Sequence, residues 1–331
     1  MRIAVIGLAF THPYSYTQIL QRLGHSVTHV WDDVPERLAE FAQRFGATAV
    51  SEVGAVPLDQ LDGVIVTGRL PERVDHAIYF LERGMPVYSS KPMATSLGQL
   101  KRLMETVQRT GSPLLTTSVL RYAPALRSLR RYVEEGRLGT LVSAHAVSAE
   151  NVDMYMREPN RWQDDPQRGG GSIITMGIHA LEMLVVLLGP RIRRVSCLAG
   201  KRVYLQSASE DIALVRLEWE DGLLGAVDVV CGVNVGRFSV ELFGSQASLR
   251  CTIPAGSVCD FAGAALGEAD AFDEYGYTGT IETFLEMCRT RVMPIPLEES
   301  AAIARVLLAA RLSAATGQTI TLDELEKAEA K

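Results

Sequence analysis

The first thirty-three residues, MRIAVIGLAFTHPYSYTQILQRLGHSVTHVWDD, constrain the fold more tightly than any other stretch. An apolar run from Ile3 to Ile6 ends in Gly7 and a short turn. A helical pattern of Ile19, Leu20 and Leu23 follows, broken at Gly24, and a second apolar run closes on Asp32. Strand, glycine-bearing turn, helix, strand and acidic residue make the first unit of a dinucleotide-binding sheet. In such a unit the helix N-terminus faces a pyrophosphate, whose charge its unpaired N–H groups and dipole stabilise. Asp32 is placed to accept hydrogen bonds from both ribose hydroxyls of an adenosine. A 2′-phosphate there would face Asp32 and Asp33 together, so the unit favours NAD over NADP.

The turn departs from the Gly-x-Gly-x-x-Gly fingerprint, with Gly7, Ala9 and His12 at the three positions. Gly7 keeps the tight turn, and Ala9 adds only a methyl where backbone approaches phosphate. His12 puts a full side chain where the helix should pack closely on the strand. An incomplete fingerprint also fits a doubly wound domain that holds no dinucleotide.

A chain of 331 residues has room for two domains at roughly 100–200 residues each. A formal charge of −6 offers no basic field for phosphate backbones, so nucleic acid is not an expected partner. Cys197, Cys231, Cys251, Cys259 and Cys288 are scattered, as in a reduced cytoplasmic protein. The most apolar segment, Ile173 to Leu188, carries His179 and Glu182 and is too short to span a bilayer. The chain starts its first strand by Ile3, without a secretory signal. These features predict a soluble intracellular protein with no membrane partner.

Strand and helix signals alternate through the first third. Helical patterns at Pro35–Phe45, Val74–Leu81 and Leu97–Val107 alternate with strands at 61–67, 86–89 and 113–117. This alternation predicts an α/β, Rossmann-type doubly wound parallel sheet over residues 1–120. The pattern then changes. A helix over 123–135 and a strand over 140–149 lead into a polar loop, and an apolar helix runs from about Ser172 to Leu188. In ALVRLEWE, Ala213, Val215, Leu217 and Trp219 alternate with other residues; Asp221-Gly222 is a hairpin signal, and LLGAVDVV returns. FSVELFG and ASLRCTI add strands, and helices near 280–289 and 298–315 finish the chain. Residues 121–331 are thus expected to form an α+β domain with a large, open, mostly antiparallel sheet.

Two residues stand out for chemistry. Lys91 follows a strand at the edge of the expected crevice, with Pro92 restricting its backbone. A lysine there can stabilise a developing alkoxide; the alternative is a solvated surface lysine. His179 lies one turn after Thr175 on one helical face, after three glycines that admit close backbone approach. It can serve as general base for an alcohol proton, or be a structural histidine. His25, His29, His76 and His145 are dispersed and no metal site is expected.

Taken together and in order, these segments resemble the Gfo/Idh/MocA oxidoreductases, which include glucose–fructose oxidoreductase and inositol dehydrogenase. SSKPMATS is similar to that family's Glu-Lys-Pro loop, so the resemblance implies that Lys91 is the catalytic lysine. GGGSIITMGIHALE resembles the segment with an Asp-x-x-x-His pair, which implies His179 as the catalytic histidine. RYAPAL, DGLLGAVDVV, VELFGSQAS and LSAATGQTITL are similar to framework stretches of the second domain. The departures are Ser90 for glutamate, Thr175 for aspartate, and Arg69-Leu70 for a Pro-Asn pair. The expected cofactor set is Gly7, Ala9, Phe10, Thr11, His12, Asp32, Thr67, Gly68, Arg69 and Lys91, with packing against the first strand the alternative for His12 and a solvated or ion-paired arginine the alternative for Arg69. The resemblance places Arg121, Tyr122, Tyr155, Arg157, Arg161 and Trp162 in segments that approach substrate. It also implies an open sheet of the kind that forms an oligomer interface, and Leu214, Leu224 and Val230 on the outer face of the expected strands predict a homodimer or homotetramer joined there.

The reading that follows is an NAD-dependent oxidoreductase acting on a secondary alcohol of a sugar, polyol or related small molecule. His179 would take the hydroxyl proton, Lys91 would polarise the same oxygen, and Thr175 would help orient it. The alternatives are a non-catalytic nucleotide- or sugar-binding protein of the same fold, and an enzyme that oxidises its substrate transiently on a tightly held NAD.

Overall fold

A computed structural model describes residues 1–156, 164–166, 170–234, 236–254, 258–260 and 273–329. They form two compact units. The first comprises Met1–Ala94, Gly98–Thr117 and Tyr277–Ser300; the second comprises Thr95–Leu97, Ser118–Gly276 and Ala301–Lys331.

The first unit is built on six strands: β1 (Arg2–Ile6), β2 (Ser26–Trp31), β3 (Thr48–Ala49), β4 (Gly63–Val66), β5 (Val87–Ser89) and β6 (Leu114–Leu115). All pair in parallel, in the order β3-β2-β1-β4-β5-β6. This is the dinucleotide-binding order, in which the chain reverses its direction of winding between β1 and β4. The connecting helices are α1 (His12–Arg22), α2 (Pro35–Phe45), α3 (Leu70–Leu81) and α4 (Leu97–Thr110). Ile3 to Ile6 in β1 and all of β4 are buried, as expected of strands covered on both faces.

The second unit carries α5 (Pro124–Glu134), β7 (Leu141–Glu150), α6 (Ser172–Thr175) and α7 (Gly177–Leu188). Its further strands are β8 (Ile192–Gly200), β9 (Ile212–Trp219), β10 (Leu224–Cys231), β11 (Arg237–Gly244), β12 (Ser248–Ile253) and β13 (Val258–Asp260). With β14 (Ile320–Thr321) they form one sheet in the order β13-β12-β11-β7-β10-β9-β8-β14, in which β7 and β10 pair in parallel and the other neighbours antiparallel. In β9, Ala213, Val215, Leu217 and Trp219 are buried, while Leu214 and Arg216 face outward. The inner face packs on α7, which is buried along nearly its whole length. The single apolar helix expected over 172–188 is two, parted at Met176, and a terminal helix follows β14.

The segment α8 (Tyr277–Thr290), expected within residues 121–331, belongs to the first compact unit. It packs on α1, and Phe284 and Cys288 lie against Gly63 at the start of β4. A methyl on Gly63 would sit 2.5 Å from Cys288 Sγ. The chain continues through α9 (Leu297–Thr316) and ends in α10 (Leu322–Glu329).

Candidate active site

In the first unit, the turn after β1 is shaped by Gly7. Its φ of +89° and a would-be Cβ 2.2 Å from Gly68 Cα admit only glycine. Thr67, fully buried after β4, donates from Oγ1 to the Gly7 carbonyl at 2.6 Å. Gly7, Thr67 and Gly68 therefore form one close junction between two strand ends. Ala9 is buried, whereas Thr11, the N-cap of α1, is exposed and gives no side-chain cap.

His12 opens α1 and lies among aromatic rings. Its ring is 6.3 Å from Phe10, 5.8 Å from Tyr16 and 5.6 Å from Tyr277, centroid to centroid. His12 Nδ1 and the Tyr277 hydroxyl share a hydrogen bond of 2.9 Å. The side chain that replaces the fingerprint's third glycine is thus taken up by α8. Burial, with the positive charge of Lys91, pushes its pKa from 6.5 down to about 3, so the imidazole is neutral near pH 7.

Asp32 is buried at the end of β2. Leu8 N–H donates to Oδ2 at 2.6 Å, while Val34 N–H and Arg37 Nε donate to Oδ1 at 2.9 and 3.0 Å. Among the described residues, Oδ2 therefore keeps an acceptor position, which suits a ribose hydroxyl. Arg37 also bonds Asp33 at 3.2 Å, and Arg69 Nη1 lies 3.1 Å from Asp33 Oδ2. The acidic pair is thus balanced by two arginines, and Arg69 takes the ion-paired alternative. These features fit a dinucleotide: a glycine-only turn ahead of a helix N-terminus, and a fixed carboxylate at the end of β2.

Lys91 follows β5 and is only 8% exposed. Lysine is rarely so buried on a merely solvated surface. The next residue is held from an unexpected direction: Arg73 of α3, fully buried, donates from Nη2 to the Pro92 carbonyl. Arg73 Nε and Nη1 meet no partner among the described residues, and burial lowers its pKa to about 9.

In the second unit, Thr175 and His179 are both buried. Thr175 Oγ1 donates to the Gly171 carbonyl at 2.9 Å. The hydroxyl facing His179 is that of Ser118, whose Oγ lies 2.7 Å from His179 Nδ1. Ser118 N–H donates to Glu182 Oε2 at 2.6 Å, and Arg121 Nε donates to Glu182 Oε1 at 2.7 Å. The His179 ring also packs on Phe238 of β11, 5.1 Å between centroids.

Arg121 and Tyr122 close the 3₁₀ turn Val119–Tyr122, and Tyr155 closes another at Asp153–Tyr155. Arg157, Arg161 and Trp162 lie outside the described residues. No group of three His, Cys, Asp or Glu among the described residues could hold a metal ion, and no helix there is long and apolar enough to cross a membrane. Glu182 had a usable signal, three residues after His179 on the same helical face. Ser118, Arg73 and Tyr277 had none, because their partners are remote in sequence.

Two family models match the chain. The NAD-binding Rossmann-fold model of the oxidoreductase family covers residues 1–118, and the GFO/IDH/MocA C-terminal domain model covers 126–250. The chain is 25% identical to D-apiose dehydrogenase of Paraburkholderia graminis over 75% of its own length and 66% of that protein. It is also 25% identical to inositol 2-dehydrogenase 3 of Saccharopolyspora erythraea, over 82% of each. In structure it resembles the WlbA dehydrogenase of Bordetella pertussis, solved with NADH and UDP-GlcNAcA. The TM-score is 0.84 at 19% identity, over 97% of this chain and 98% of that one.

Proposed function

The chain belongs to the Gfo/Idh/MocA oxidoreductase family, and from that premise we propose that it is an NAD-dependent dehydrogenase oxidising a secondary alcohol of a sugar, a polyol or a related small molecule. The dehydrogenase names of its relatives support the reaction class, and their apiose and inositol substrates support the substrate class. The observation that carries the reading is Lys91, a nearly buried ammonium at the C-terminal end of β5. The carboxyl ends of parallel strands are where open α/β sheets bind ligands.

NAD, when bound, supplies the hydride acceptor. Gly7, Ala9, Phe10, Thr11, His12, Asp32, Thr67, Gly68 and Arg69 are the residues we assign to hold it. His179 takes the proton of the substrate hydroxyl, and Lys91 donates a hydrogen bond that stabilises the negative charge developing on the oxygen. Thr175, bonded to Gly171, supports the turn ahead of His179. Arg121, Tyr122, Tyr155, Arg161 and Trp162 remain the proposed substrate-facing set. The five cysteines are free thiols, which fits a reducing compartment such as the cytoplasm.

The test is a screen of polyols and sugar acids with NAD, followed by His179→Asn and Lys91→Ala on whichever substrate turns over. Each substitution should lower turnover by about 10²–10⁴-fold with NADH affinity little changed. Activity that survives both would overturn the site assignment. NADH binding without turnover of any compound would favour the binding-protein reading, to which the engaged hydroxyl of Thr175 lends some weight.

We assign NAD rather than NADP because Asp32 is fixed by two backbone N–H groups and keeps an acceptor position on Oδ2. A hydrogen bond to a charged group contributes about 1.5–3 kcal/mol. Calorimetry should therefore show NADH binding one to two orders of magnitude tighter than NADPH, with the difference largely lost in Asp32→Ala. Equal affinities in the wild type would refute it, and Arg37 and Arg69 are the residues that would then receive the 2′-phosphate.

A further inference from the structure

The position that carries aspartate in the family's Asp-x-x-x-His pair is Thr175, and its hydroxyl is engaged with the Gly171 carbonyl. The ring of His179 is held elsewhere. Ser118 Oγ, fully buried, lies 2.7 Å from Nδ1 and itself accepts from Leu120 N–H at 3.2 Å. Ser118 is pinned in turn through its own N–H, which donates to the buried carboxylate of Glu182. Arg121 fixes the other oxygen of that carboxylate. Glu182 stands three residues after His179 on α7, so the histidine and the anchor of its partner share one helix.

Resting on the assignment of His179 as the base, we propose that Ser118 is its positioning residue, accepting a hydrogen bond from Nδ1–H so that Nε2 carries the lone pair that takes the substrate proton. Neutral imidazole has one N–H and one acceptor nitrogen, whereas the imidazolium formed by proton uptake has two donors. The partner of Nδ1 must therefore be an acceptor once Nε2 is protonated. With Nδ1–H already directed at Ser118 Oγ, the proton moves from the substrate oxygen to Nε2 and nothing else needs to turn. The opposite tautomer has no lone pair at Nε2. A hydroxyl also differs from the usual carboxylate in adding no charge of its own; the negative charge of Glu182 stands one residue further off, paired with Arg121. The altered pair is thus a neutral orienter supplied from a different part of the chain.

The test uses the full chain labelled with ¹⁵N-histidine, with the His179 signals identified by their loss in His179→Asn. Nitrogen chemical shifts should show Nδ1 protonated and Nε2 unprotonated in the wild type at neutral pH. Nε2 protonated instead would overturn the proposal whatever the activity proves to be. In Ser118→Ala the tautomer preference should relax, and kcat should fall by about 10²-fold, as expected for a misplaced catalytic group, with KM and NADH affinity little changed. Ser118→Thr, which keeps the hydroxyl, should restore the tautomer and most of the rate. If Ser118→Ala leaves tautomer and kcat unchanged while His179→Asn abolishes turnover, Ser118 is not the positioning residue and the base assignment stands. If His179→Asn leaves turnover intact, the base assignment falls, and with it the positioning role.

Discussion

His12 shows how a single side chain that breaks a motif can be absorbed by the fold. In sequence it is an intrusion at a glycine position. In the structure it is stacked near Tyr16 and bonded to Tyr277, 265 residues away. The same enclosure has a consequence for stability. The pKa of His12 is about 3 in the folded chain against 6.5 for an unperturbed histidine, so between these values the unfolded state binds more protons. Stability therefore falls as pH drops through that window, and above it the contribution is constant. His12→Gln removes the titration, so its unfolding free energy should decline less steeply there, by up to about 1.4 kcal/mol per pH unit. Urea unfolding at several pH values inside and above the window checks this, and parallel slopes for the two proteins would contradict a neutral, enclosed His12. Asp32 was legible because its place at a strand end follows from local pattern. Ser118 was not, since nothing in TTSVLRY marks a serine that meets a histidine 61 residues on.

At the level of elements, local pattern was a good guide to what forms and a poor guide to what it packs against. The unbroken apolar runs of β1 and β4 announce strands buried on both faces, and the alternation in β9 announces one with an outer side. For α8 the apolar positions say only that one face is covered. That this face lies on α1 and β4 is a tertiary fact, written at Gly63, where an added methyl would meet Cys288 Sγ at 2.5 Å and Phe284 Cζ at 2.9 Å. Gly63→Ala should therefore destabilise the protein by about 1–3 kcal/mol through overpacking, seen as a lower Tm in calorimetry. A Tm equal to that of the wild type would show that α8 does not press on β4. The break between α6 and α7 was likewise hidden, because Ile173 to Leu188 reads as one apolar stretch.

For the molecule as a whole, the open sheet of the second unit leaves apolar residues on its outer face. Leu198 of β8 and Leu214 of β9 pair directly across the strands and are 74% and 36% exposed. Leu224 of β10, on the same face, is also exposed, between Ser143 and Glu218. An exposed cross-strand apolar pair on an uncovered sheet face suits an interaction surface, and we propose that copies of this chain join through it as a homodimer or homotetramer. Light scattering should give a multiple of the chain mass at micromolar concentration. Leu198→Glu combined with Leu214→Glu should shift it toward the monomer while leaving the circular dichroism spectrum unchanged. A wild-type monomer would rule the assembly out.

What the sequence by itself determined is the part governed by short-range periodicity: a parallel doubly wound sheet, a mostly antiparallel second sheet, and the strand-end positions of Gly7, Asp32 and Lys91. Those follow from side-chain alternation and turn chemistry, which act over a few residues. Only the tertiary structure decided the partners. It brought Tyr277 to His12, Arg73 to the carbonyl of Pro92, two arginines to Asp33, and Ser118 rather than Thr175 to the ring of His179. Hydrogen bonds of this kind are chosen by which elements the core forces together, and hydrophobic burial, being non-directional, leaves no mark of that choice in the local sequence.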